Sequence, residues 1–239
     1  MPTVDMSAEA ILARVREASQ LRRATLALER AARAAGIENG RVVFRPGART
    51  DLPRFAEPDA SHLLCVDLGF AAEEASCGLA INHEVPTLLT FGACCEEVAA
   101  RLRSWHPERP VALVLEAPLS MAFRDGNPCR RGAFERRDDK ARGWYHGTGA
   151  PMLLAARTFL ARLRQVPLAQ DREVTLFEGF VSFKGERSDH RADAIALRDA
   201  VRRGHCRVHE VPGGQSILED LFGVPGAPVV LEPLPGTVG

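Results

Sequence analysis

Apolar runs of strand length recur along this chain and alternate with segments of helical period. Residues 62–69, 111–118 and 174–180 are nearly continuous apolar stretches. That is the pattern of strands covered on both faces of a sheet. Residues 76–82 and 87–91 read as two further strands joined by a turn at 83–86, which predicts an antiparallel meander with the first run. Helical period follows at 93–105, where Val98, Leu102 and Trp105 share a face, and a Pro-containing stretch at 106–110 ends it. A second helix is predicted at 151–164, with Pro151 in its first turn, and a third at 189–203, stopped by Gly204. The predicted order is β-β-β-α-β-α-β-α, a mixed-sheet α/β layout.

Three segments flank or interrupt this core. Residues 8–35 place Ile11, Val15, Ala18, Leu21, Ala24 and Leu28 at three- and four-residue spacing. They predict one long amphipathic helix or two shorter ones, with Ser7 as N-cap and Gly36 as stop. Residues 37–61 read as a connector with one short strand at 41–44. Residues 119–149 form a Gly-, Arg- and Pro-containing excursion after the fourth strand. Past the core, 207–211 suggests a strand and 216–222 a short helix. The Pro- and Gly-rich end from Gly223 is expected to be loose or strapped across the surface. The predicted units are therefore 1–61, 62–205 and 206–239.

Composition narrows the function classes. The 239 residues are 46% hydrophobic, enough for a sizeable core, and 31 basic side chains balance 31 acidic ones. A globally basic nucleic-acid binder is excluded; such a surface would have to be a local patch. No leader-like N-terminus and no membrane-spanning apolar run is present, and the six cysteines form no C-x-x-C pair. The expectation is a cytoplasmic protein with reduced thiols and no membrane partner.

The candidate chemistry lies where the strand runs keep their acids. Asp67 lies near the end of the first run, Glu116 near the end of the fourth strand and Glu178 near the end of the fifth. Carboxylates in apolar surroundings are costly unless paired or bound to a metal. The last helix opens Asp189-His190-Arg191-Ala192-Asp193-Ala194, and a spacing of three puts His190 and Asp193 on one face. Acids gathered at one end of one sheet would suit a hard divalent cation.

With these acids in place, the order resembles the ribonuclease H-like superfamily, and the His190 to Ala194 stretch resembles the helix motif of RuvC-type resolvases. The set Val66-Asp67-Leu68-Gly69, Leu115-Glu116-Ala117-Pro118-Leu119-Ser120, Glu178 and Asp189-His190-Arg191-Ala192-Asp193-Ala194 is similar to an uncharacterised family of predicted ribonuclease H-fold nucleases. The likeness covers roughly residues 62–203 and leaves the first 60 residues and the excursion unexplained. It implies a ribonuclease H-like mixed sheet with an N-terminal helical extension and a metal-dependent nuclease using Mg²⁺ or Mn²⁺ in a two-metal mechanism. Asp67, Glu116 and Asp193 would be its catalytic acids. His190 would be a further ligand, with Asp189 as its alternative, and Glu178 a fourth carboxylate or a supporting partner.

The implied substrate is DNA or RNA. Arg124, Arg130, Arg131, Arg136, Arg137 and Arg142 in the excursion are candidates for backbone phosphates, with Trp144 and Tyr145 for base stacking. A homodimer through the N-terminal helix is the expected assembly if that helix pairs. Two other readings share the scaffold. One is a phosphotransferase or ATPase of the actin-like fold, and the other a non-catalytic binding protein. The first normally needs two domains and Gly-rich phosphate loops, which the chain lacks.

Overall fold

A computed structural model of the protein describes residues 40–69, 74–135, 147, 149–181 and 189–234. The helix expected over 8–35 lies outside the described residues. The architecture is α/β, built on one mixed eight-stranded sheet. Strands β1 (Val42–Pro46), β2 (His62–Asp67), β3 (Cys77–Ile81), β4 (Thr87–Leu89), β5 (Val111–Glu116) and β8 (Arg172–Gly179) belong to it. So do β9 (Cys206–His209) and β11 (Val230–Pro233). The order across the sheet is β4-β3-β2-β5-β8-β11-β9, with β1 also paired to β8. β2, β5 and β8 run parallel, and β2, β3 and β4 form the expected antiparallel meander.

Five α-helices are described: α1 (Leu52–Ala56), α2 (Phe91–Ser104), α3 (Gly149–Arg164), α4 (His190–Arg203) and α5 (Ile217–Phe222). The sheet is covered on both faces, which is why its central strands carry no polar alternation. On one face Leu64, Val66, Leu113, Leu115, Val174 and Leu176 pack with α2, α3 and α5. On the other, Leu63, Cys65, Ala112, Val114 and Phe177 pack with Phe55 of α1 and with Ala194, Leu197 and Val201 of α4. The alternation of these two residue sets fixes the face to which every strand side chain points.

The predicted core elements recur within two residues at each end, as do the flanking strands predicted at 41–44 and 207–211 (β1 and β9) and the helix at 216–222 (α5). The flanking segments also hold elements that were not expected. The connector contains a second element, α1, whose Phe55 is fully buried edge-on to Phe177. The excursion holds a hairpin, β6 (Ser120–Arg124) and β7 (Asn127–Cys129), turned at Asp125-Gly126 with both residues at positive φ. Short strand β10 (Gln215–Ser216) pairs with β6, making a second, three-stranded sheet. The end of the chain is not a loose strap up to Pro233. β11 is buried and lies between β8 and β9, parallel to the first and antiparallel to the second. No helix among the described residues is long and apolar enough to cross a membrane.

Candidate metal centre

Asp67 and Glu116 close two adjacent parallel strands, and their Cα atoms are register partners. Both strands therefore deliver a carboxylate to the same row and the same face. Parity agrees: Leu63 and Cys65 of β2, and Ala112 and Val114 of β5, all face α4. Asp193 arrives from α4 itself, one turn in from the N-cap. Each of the three offers an oxygen within 4.8 Å of the other two. They are 2%, 3% and 5% exposed, so water screens their repulsion poorly.

The close approach of α4 to the sheet depends on Gly78. It is the register partner of Asp67 on β3, and a methyl group there would overlap the carbonyl of His190. The absence of a side chain at 78 lets the first turn of α4 lie directly over the strand. That position brings His190 Nδ1 to 2.8 Å from Asp67 Oδ2. An ionised carboxylate only accepts, so the contact is a donation from Nδ1–H. His190 is partly exposed and stands beside Asp67 rather than within the three-carboxylate group.

Two expected ligands are used elsewhere. Asp189 caps α4: its Oδ1 accepts from the Ala192 N–H at 2.7 Å, and its other oxygen lies 3.6 Å from Arg191. The cap satisfies an N-terminal donor that the helix cannot satisfy itself. Glu178 pairs in register with Leu115, one residue short of Glu116, so its side chain projects to the opposite face. There its Oε2 accepts from the Leu119 N–H at 2.8 Å and from Arg131 Nη1 at 2.6 Å. Burial pushes the Glu178 carboxyl up, against the pull of Arg131 and the Leu119 N–H.

That arrangement also corrects the expectation for Arg131. Its side chain is fully buried and is gripped by Glu135 at 2.7 Å as well as by Glu178. It cannot meet a phosphate. It ties the hairpin segment to β8 instead, and burial, which opposes its charge, is outweighed by the two carboxylates. Arg124 is exposed and Arg130 half-buried on the same segment. Arg136, Arg137, Arg142, Trp144 and Tyr145 lie outside the described residues. Glu135 was not anticipated; its signal is the four-residue spacing from Arg131, which on a tight turn brings the two together.

Comparison with protein-family models, with curated proteins and with solved structures found no match to this chain.

Proposed function

We propose that this protein is a divalent-cation-dependent nuclease on a ribonuclease H-like scaffold. The observation that carries the reading is the convergence of Asp67, Glu116 and Asp193 to within 4.8 Å at the carboxyl ends of parallel strands. The strand order β4-β3-β2-β5-β8 and the helix placed after β8 support the same fold family. Ligand crevices in open α/β sheets lie at this end of the strands. The donor set fits the ion: three hard carboxylate oxygens suit Mg²⁺ or Mn²⁺, and no thiolate belongs to the group.

Asp67 and Glu116 would hold the ions from the sheet and Asp193 from α4, with Asp67 the shared ligand in a two-ion arrangement. A bound divalent ion would supply Lewis-acid stabilisation of the phosphate and an acidified water. The chain's own part is to orient and to exclude water. His190 donates to Asp67 Oδ2 and so fixes that carboxylate's rotamer. The Val181 N–H lies 3.4 Å from Glu116 Oε1 and steadies the second carboxylate. The hairpin segment leaves directly after Glu116 and is anchored to β8 through Arg131. Arg124 and Arg130 on it remain candidates for positioning a polyanionic substrate.

The test combines binding and turnover. Mn²⁺ titrated into EDTA-treated protein is expected to raise Tm, and a panel of labelled DNA and RNA substrates is expected to be cut only with the metal. Asp67→Asn, Glu116→Gln and Asp193→Asn should each remove both responses. Without metal each should keep or raise Tm, since it relieves like-charge repulsion of on the order of 1 kcal/mol, or ~2–4 °C. Metal stabilisation that survives in all three variants, or cleavage in EDTA, would sink the proposal.

A further inference from the structure

The end of the sheet opposite the carboxylates collects the converse chemistry: buried donors with no acceptor. His62 opens β2 five residues before Asp67, which sets the two ends roughly 17 Å apart at the rise of a strand. It is 8% exposed, and its ring lies flat on Trp105 with centroids 4.0 Å apart. Asn82 fixes its tautomer. The Asn82 Oδ1 accepts from the Leu63 N–H and from Arg202 Nη2, each at 2.9 Å. Its amide nitrogen therefore faces His62 Nδ1, at 3.4 Å, and Nδ1 is the acceptor. The ring proton sits on Nε2, which is buried and meets no acceptor.

Two guanidiniums share this condition. Arg172, the first residue of β8, is 6% exposed; its Nη2 donates to the Trp105 carbonyl at 2.6 Å and its Nη1 has no partner. Arg202 of α4 donates to the Phe55 carbonyl, Ser61 and Asn82, while its buried Nε has none. Burial holds Arg172 below the usual guanidinium range with no carboxylate to offset it. The charges of Arg109, Arg172 and Arg202 all bear on the His62 ring. Arg109 is exposed. A cleft of about 410 Å³, lined in part by Leu102, Trp105, Pro107, Pro167, Leu168 and Arg172, opens here.

Buried donors without acceptors are costly, and more so when charged. Water relieves such groups incompletely, because it brings two donors of its own to a place that already lacks acceptors. An acceptor-only ligand matches them. We infer that this pole is an oxyanion site that takes a phosphate group, with Arg172 as its buried anchor and His62 Nε2–H and Arg109 as further donors. Two guanidinium charges match a dianion better than a monovalent carboxylate. The apolar wall of the cleft, with Trp105 in it, can take a base lying flat. The phosphate is then either inorganic phosphate or that of a nucleoside monophosphate. The site uses none of the three carboxylates.

Calorimetry and thermal denaturation of the full chain in EDTA, with inorganic phosphate, adenosine 5′-monophosphate and adenosine, test this. Phosphate and the monophosphate are expected to bind and raise Tm, and adenosine alone is not. Tighter binding of the monophosphate identifies the nucleotide as the source; equal binding identifies free phosphate. Arg172→Met should abolish the response, Arg109→Ala at its exposed position should weaken it about tenfold, and Asp67→Asn should leave it intact. The His62 Nε2–H resonance should shift on phosphate addition, which reports the site even if the Arg172 variant does not fold. No Tm shift up to ~20 mM phosphate, or equal shifts in wild type and Arg109→Ala with an unmoved His62 signal, would overturn the inference.

Discussion

Arg131 shows how a residue's neighbours decide its role. A guanidinium in a Gly- and Arg-containing excursion reads as a surface charge, yet here it pairs with two buried carboxylates at once. Removing one member of such a set leaves the others charged and dry. Arg131→Met is expected to cost roughly 3–5 kcal/mol, while Arg124→Ala, at an exposed position, should stay within ~0.5 kcal/mol. Chemical denaturation of both variants checks the pair; equal stabilities would return Arg131 to the surface. The three convergent carboxylates were legible because each ends a strand run or sits one turn into a helix. Arg131 was not legible, because its partner Glu178 lies 47 positions away.

Among the elements, α4 governs the candidate centre, and a residue on a neighbouring strand governs α4. Gly78 is where the helix backbone meets β3, so a methyl group there must push the first turn away from Asp67. Gly78→Ala should destabilise by about 1–3 kcal/mol and weaken the Mn²⁺-dependent Tm shift, although residue 78 carries no ligand. Gly92→Ala, in α2 with open space around it, is the control. It should stabilise by up to ~1 kcal/mol and leave the metal response unchanged. A Gly78 variant with wild-type metal response would break the link between helix approach and site geometry. Other elements were readable from sequence and went unread. Asp125-Gly126 between strand-like residues is the signal of a two-residue hairpin. The apolar run Val229 to Leu231 leads into β11, and its character was outweighed by the prolines around it.

For the whole molecule, one sheet carries an acceptor-rich pole and a donor-rich pole at opposite ends. The donor pole sets an expected acid response. Burial and the charges of Arg109, Arg172 and Arg202 push His62 down to about 4 from an ordinary 6.5. The groups that face it are those arginines, Asn82 and the Trp105 ring, and none is acidic. The folded state therefore holds His62 neutral where the unfolded chain would protonate it. Its contribution is fully present above pH 6.5 and is lost as pH falls from there towards 4. Tm in phosphate-free buffer should fall across that window, and His62→Gln should flatten the fall. A wild-type and variant profile of the same slope would remove His62 as a cause.

The sequence by itself determined the periodicities, and from them the order of the core elements, the helix stop at Gly204, and the strand ends that carry Asp67 and Glu116. These are local properties, set by side chains a few positions apart. Strands buried on both faces show no polar alternation, so which face each end residue takes was open until register was fixed. Only the pairing of Leu115 with Glu178 turned that acid away from the group that Asp67 and Glu116 share. The insertion of β11 into the sheet, the approach of α4 over Gly78 and the donor pole built from residues 62, 82, 105, 172 and 202 were likewise decided in three dimensions. Each joins groups far apart along the chain, and no window of sequence contains the packing that brings them together.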